Sequence, residues 1–134
     1  MNDVVRFLTQ NPVVYMATVD EEGNPRVRPF QYMLEKEGRL YFCTSNQKPV
    51  YEQFRRHPLI EMCVSSADAV WLRLTGRVTF VPDRSVKETI LTNNELVRSL
   101  YGNADNPAFE VFYLEDARGT LSDFSGNPPR EFVL

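Results

Sequence analysis

The chain is poor in the residues that build metal centres and hydrolytic triads: its 134 residues include two cysteines, Cys43 and Cys63, and one histidine, His57. The cysteines lack CxxC spacing and each lies in an apolar, strand-like run, so they read as buried free thiols of a protein in a reducing compartment rather than zinc ligands. A lone histidine without a supporting context leaves no readable Ser/His/Asp set. GxGxxG and Walker motifs are absent, which excludes the common dinucleotide and P-loop modes of nucleotide binding. There is no basic excess: 15 Lys and Arg stand against 18 Asp and Glu, for a net charge of -3. A general nucleic-acid binder would carry a positive footprint. No stretch of 18 consecutive apolar residues occurs, and no basic segment followed by an apolar run opens the chain, so neither membrane spanning nor secretion is expected and a cytoplasmic location is.

What is present is material for a core. Hydrophobic residues make up 43% and aromatics 12%, enough for one domain over residues 1–134 that buries roughly two-thirds of its unfolded surface. Val4, Val5, Phe7 and Leu8 share one side of a short helix over residues 3–10, ended by Asn11-Pro12, that lids one end of the core. Residues 13–20 and 26–34 read as a hairpin across Glu21 to Pro25, and a second turn at residues 35–38 leads into a strand over 39–44, giving an antiparallel meander. A helix over 49–56 and a strand over 59–65 follow. Residues 70–81 alternate most cleanly, with Val70, Leu72, Leu74, Val78 and Phe80 on one side, and Gly76 predicts a bulge or bend in so long a strand. Residues 85–101 read as one helix, residues 109–116 and 120–124 as a hairpin about Ala117-Arg118-Gly119, and residues 131–134 as a last strand. Six or seven antiparallel strands with three short helices favour a small closed or split barrel over a sandwich, because closure removes exposed edges.

The segment Arg39-Leu-Tyr-Phe-Cys-Thr-Ser-Asn-Gln-Lys-Pro49 is the most informative one. Pro49 suits the first helical position and the residue before a proline avoids helical backbone, so Lys48 falls at the N-cap. A cation there opposes the helix macrodipole. A bound phosphate would reverse that cost, since free helix N–H groups, the hydroxyls of Thr44 and Ser45, the Asn46 amide and the Lys48 ammonium can converge on one anion. The alternative is a solvated Lys48 with Asn46 as the cap. Two further strands have unusual faces: Arg26, Arg28, Phe30 and Tyr32 on one, Trp71, Arg73, Thr75 and Arg77 on the other. Cations interleaved with aromatics suit a ligand wall or a subunit interface.

Arg26-Val27-Arg28-Pro29-Phe30, the strand and turn from Leu40 to Pro49, and Trp71-Leu72-Arg73-Leu74-Thr75-Gly76-Arg77-Val78 together resemble the pyridoxamine 5'-phosphate oxidase-like split-barrel flavoproteins, in particular small single-domain members of the nitroimidazole-resistance type. The likeness runs over nearly the whole chain, to the closing Asp123-Phe124-Ser125-Gly126. It implies a mainly β fold, an antiparallel Greek-key split barrel with short helices, and a homodimer with two flavin mononucleotides (FMN) in clefts between subunits. By position, the resemblance assigns Arg26, Val27, Arg28 and Pro29 to the isoalloxazine edge, Phe42, Cys43, Thr44 and Ser45 to the ring and ribityl chain, and Lys48 to the phosphate. It also assigns Trp71 and Arg73 to the cofactor, from the same subunit or from the other one. A flavin has a flat apolar ring, a hydrogen-bonding pyrimidine edge and a phosphate, and the chain has a candidate group for each. A cation at the N1 and O2 edge, here Arg26 or Arg28, would favour the reduced anionic form.

The expected activity is that of an FMN-dependent oxidoreductase passing electrons from a reduced nicotinamide or similar small donor to a small organic acceptor. A flavin-binding module without turnover is the alternative, since no acid or base is evident, and haem or a deazaflavin are the alternative ligands. The oxidase that names the family is longer and ends in a basic, tryptophan-containing tail. This chain ends Pro128-Pro129-Arg130-Glu131-Phe132-Val133-Leu134, so oxidation of pyridoxamine phosphate itself is not expected. No catalytic residue is assigned. His57, Arg55 and Arg56 read as the favourable cationic end of a helix, Tyr15, Tyr32 and Tyr41 as core or interface aromatics, and Glu115-Asp116 as a hairpin end.

Overall fold

The computed structural model describes residues 2–134. Chain order is α1 (Asn2–Gln10), β1 (Val13–Val19), β2 (Pro25–Gln31), β3 (Leu34–Lys36), β4 (Arg39–Ser45), α2 (Pro49–Arg56), β5 (Leu59–Ser65), β6 (Trp71–Val81), α3 (Arg84–Asn93), α4 (Glu95–Tyr101), β7 (Phe109–Ser122) and β8 (Arg130–Val133). The strands form one antiparallel sheet in the order β2-β1-β5-β6-β7-β4-β3, with β8 on β7. This is the split barrel the sequence predicts, with more strands and helices than the sequence reading counts.

The predicted meander is interrupted. Residues 26–34 are not one strand, because the Tyr32 N–H bonds the Pro12 carbonyl beside β1 while the next N–H, of Met33, bonds the Tyr41 carbonyl on β4. The chain changes sheet partner between two residues, which puts β2 and β3 at opposite ends of the strand order. The predicted hairpin about residues 117–119 does not form either. β7 runs straight through that segment, with Leu74 opposite Gly119 on one side and Val133 opposite Arg118 on the other. Gly119 is there for close packing rather than for a turn: a Cβ on it would lie 2.6 Å from Leu74 Cδ2. The bulge predicted at Gly76 is present, where the register between β6 and β7 shifts between Thr75 and Arg77. Finally, the helix read over 85–101 is two. Asn94 has extended backbone and its side chain accepts from the Val97 N–H, so it ends α3 and caps α4.

Two apolar clusters result. Inside the barrel, Phe42, Phe54 and Phe112 pack with Leu40, Met62, Leu72 and Leu74, while Val4 and Leu8 of α1 close one end as expected. Outside it, Val86, Ile90, Leu91 and Val97 of α3 and α4 cover Tyr41, Val111 and Tyr113. β4 serves both, since successive side chains point to opposite faces: Leu40 and Phe42 go inward, Tyr41 and Cys43 toward the helices. Among the described residues no helix is long and apolar enough to cross a membrane.

Candidate functional site

The end of β4, the mouth of α2, the strand β2 and the last turn of α4 enclose a cleft of about 160 Å³, lined by Arg28, Pro29, Gln31, Met33, Cys43, Thr44, Lys48, Val50, Leu100 and Tyr101 among others. Wider concavities exist on the outer face of the sheet. This cleft is set apart by unpaired donors.

Lys48 is the N-cap of α2, with extended backbone, Pro49 after it and no side-chain cap bond. The alternative in which Asn46 caps the helix is overturned: its N–H and side-chain amide bond the Ala108 and Pro107 carbonyls, which ties it to the loop before β7. Pro49 has no N–H, and the Tyr51 N–H bonds the Lys48 carbonyl. No hydrogen bond from the Val50 N–H to another described residue is present. Thr44 Oγ1 is buried without a hydrogen-bond partner. Burying such groups unpaired is costly. Thr44, Lys48 and Val50 all line this cleft, and free N–H groups at a helix mouth beside a lysine are the usual elements of an anion site.

Of the residues assigned from sequence, Arg28, Pro29, Cys43, Thr44 and Lys48 meet in this cleft. Phe42 does not line this cleft: its side chain is fully buried in the barrel, stacked on Phe112 with centroids 5.7 Å apart. Ser45 accepts from the Gln47 N–H at 3.1 Å and shapes the turn. Val27 points outward, 67% exposed. Arg26 pairs with Asp20 at 3.0 Å and lies outside the cleft. Arg28 lines the cleft, but its guanidinium turns back to bond Thr18 Oγ1 at 2.7 Å and Gln53 Oε1 at 2.8 Å. Burial pulls that guanidinium below its ordinary pKa. Neither arginine has a free guanidinium aimed at the cleft.

Trp71 and Arg73 lie elsewhere, on the outer face of β6. Trp71 packs on Phe124 at 5.1 Å and Arg73 bonds Glu61 at 2.6 and 3.0 Å. The cysteines differ from each other. Cys43 is largely enclosed, and burial pushes its thiol up to about 12; Cys63, read as buried from sequence, is exposed on the outer face of β5. Sequence reasoning missed Gln31, Met33, Val97, Leu100 and Tyr101. The α4 residues come to the cleft from some fifty positions away, so no local pattern in the sequence points to them; in the structure α4 leaves Leu96 and Leu100 largely exposed.

The comparisons bear on the family and the fold. The family model described as pyridoxamine 5'-phosphate oxidase matches residues 2–120. The crystal structure of a NimC/NimA family protein from Clostridium acetobutylicum is 34% identical, covers 100% of this chain and 92% of its own, and superposes with a TM-score of 0.90. A pyridoxamine 5'-phosphate oxidase-related, FMN-binding protein from Nostoc punctiforme shares the fold at 16% identity and a TM-score of 0.79, over 98% of this chain and 88% of its own. So does a heme-binding protein from Mycobacterium smegmatis, at 18% and 0.73, over 93% and 54%. No curated protein matches. Matched over most of its length by the family model and at 34% identity by a full-length structure, the chain belongs to the pyridoxamine 5'-phosphate oxidase family.

Proposed function

We propose that the chain binds FMN at the cleft between β2, β4 and the α2 mouth, and that it is an oxidoreductase carrying electrons from a reduced nicotinamide or similar donor to a small organic acceptor. One observation carries the reading: Thr44, whose buried hydroxyl has no partner, Lys48 at the mouth of α2 and Val50, whose N–H bonds no described residue, line one cleft, a donor set of the kind that suits a phosphate dianion. The edge strand β2 and the apolar Met33, Leu100 and Tyr101 would flank the ring. Bound there, FMN would supply the redox chemistry, while the protein orients it and limits access by water. Haem is the competing occupant. It is disfavoured by the shortage of the usual axial ligand, since the chain has one histidine, His57. Anaerobic mixing of the FMN-loaded protein with reduced nicotinamide and a nitro or quinone acceptor tests the activity. Steady consumption of both is expected, and a flavin that stays oxidised with every donor tried points to a binding module.

The reading includes a second copy of the chain. A cleft of about 160 Å³ falls well below the roughly 300–1,000 Å³ of sites that enclose a ligand of this size, so the rest of the enclosure has to come from outside it. The outer face of β2-β1-β5-β6 is suited to supply it. Val27, Tyr15 and Leu59 are 67%, 56% and 66% exposed there, beside Arg73 and Arg77 from β6 and Glu61 from β5. Apolar and aromatic side chains mixed with arginines are typical of interfaces, and Trp71 and Arg73 on this face would be delivered to the partner's cleft. Two free thiols suit a reducing cytoplasm. Cys63 lies in the same face, across from Tyr15 and Arg73, and reports on it. Alkylation of native protein is expected to be slow at both cysteines at high concentration and to become fast at Cys63 on dilution. Fast labelling of Cys63 at every concentration would leave this face unpaired.

A further inference from the structure

Three elements meet at one part-buried polar junction that the cofactor reading does not use. Arg28 of β2 donates from Nη1 to the Met16 carbonyl at 3.2 Å and to Thr18 Oγ1 at 2.7 Å, and from Nη2 to Gln53 Oε1 at 2.8 Å. Thr18 of β1, only 4% exposed, donates its own hydroxyl proton to the same Gln53 oxygen at 2.5 Å. The donors and acceptors match: Gln53 Oε1 takes two protons, and Thr18 accepts one and gives one.

The location of this junction is what matters. Gln53 sits on α2 little more than one turn beyond Lys48, so it is rigidly tied to the helix mouth. Arg28 is part of the strand that lines the cleft, so its position is tied to the wall proposed for the ring. β2 is the end strand of the sheet order and has only β1 as a ladder partner, so nothing in the backbone ladder joins it to α2. The polar side-chain junction does, beside the Phe30–Phe54 ring contact at 5.8 Å in the core. A ligand gripped at two places by two separate elements gains from the second grip only if the distance between the grips is set beforehand, because otherwise binding has to order them.

We propose that Arg28, Thr18 and Gln53 form a clamp of positioning residues that fixes the spacing between the ring wall on β2 and the phosphate site at the mouth of α2. The inference rests on the FMN reading above. It gives Arg28 a role different from a cation at the flavin edge: it holds the two half-sites in register and touches neither the ring nor the phosphate.

Thr18→Val, Thr18→Ser and Gln53→Met separate these roles, read as the ratio of riboflavin to FMN dissociation constants with melting temperature as a check on folding. Valine matches threonine in shape but lacks the hydroxyl. Thr18→Val and Gln53→Met are expected to lower the ratio about tenfold, mostly through FMN, as loss of effective concentration for the second grip requires. Riboflavin, which uses only the ring wall, should keep its affinity, and Thr18→Ser should restore the ratio. A stability defect alone would weaken both ligands together. If a folded Thr18→Val or Gln53→Met protein keeps the full ratio, or loses riboflavin as strongly as FMN, the clamp is wrong. Equal affinities in the unmodified protein would overturn the phosphate reading and the clamp with it, whereas a normal preference that survives both substitutions overturns the clamp alone.

Discussion

Lys48→Ala is expected to weaken FMN binding on the order of 10- to 100-fold, the loss of one charge-assisted bond to a phosphate, and to leave riboflavin binding unchanged. The argument turns on two effects of opposite sign. Lys48 caps α2 without a side-chain cap bond, and a cation at that end opposes the positive pole of the helix, so its removal stabilises the free protein by up to about 0.3–1 kcal/mol. In the complex the same ammonium faces about two negative charges. The variant should therefore melt no lower than the parent without ligand while binding FMN worse. General damage to the fold cannot produce that pair of results. Titrations with FMN and riboflavin, together with thermal melts of the free proteins, check it, and a parallel loss of riboflavin affinity would contradict it.

Phe112→Ala is the largest stability effect expected. Phe112 is fully buried, and its ring lies 5.0 to 5.8 Å from those of Phe54, Phe80, Phe42 and Phe30. These four rings come from α2, β6, β4 and β2, so the side chain joins elements on both sides of the split in the sheet order. Truncation removes a large apolar group and leaves a cavity whose walls are aromatic rings held by their own strands, costing about 3–5 kcal/mol. Domains of this kind have about 5–15 kcal/mol in total. A fall in melting temperature of about 10–20 °C is expected, with FMN binding recovered below the transition. A drop of only a degree or two would show that the barrel interior relaxes around the hole.

The legible parts of the fold were those set by short-range pattern. Alternation in β6, the Asn11-Pro12 stop after α1 and the Lys48-Pro49 start of α2 each follow from backbone rules acting over a few residues, and each is present. The errors lie where a long-range contact chose between two locally acceptable structures. Ala117-Arg118-Gly119 has the composition of a turn, but Leu74 on one neighbouring strand and Val133 on the other hold it extended. Tyr32-Met33 has the composition of strand, but its two N–H groups bond to carbonyls on opposite sides of the barrel gap.

The candidate site divides the same way. That Lys48 caps α2 next to Thr44 was readable because the start of a helix is set by residues local in sequence. The direction of the Arg28 side chain was not, since Gln53 and Thr18 decide it from two other elements. Leu100 and Tyr101 were not readable either, because α4 reaches the cleft only through the break at Asn94, whose side chain also bonds Gln31 Oε1 at 3.2 Å and so ties that helix to the wall formed by β2.

A spectral titration of the purified, ligand-free protein with FMN and with riboflavin tests the phosphate site directly. Saturable binding of FMN with a perturbed flavin absorbance, and riboflavin binding weaker by at least about tenfold, is the expected result for a ligand whose phosphate meets Lys48, Thr44 and the Val50 N–H. A protein that ignores FMN, or binds the two flavins equally, would contradict it.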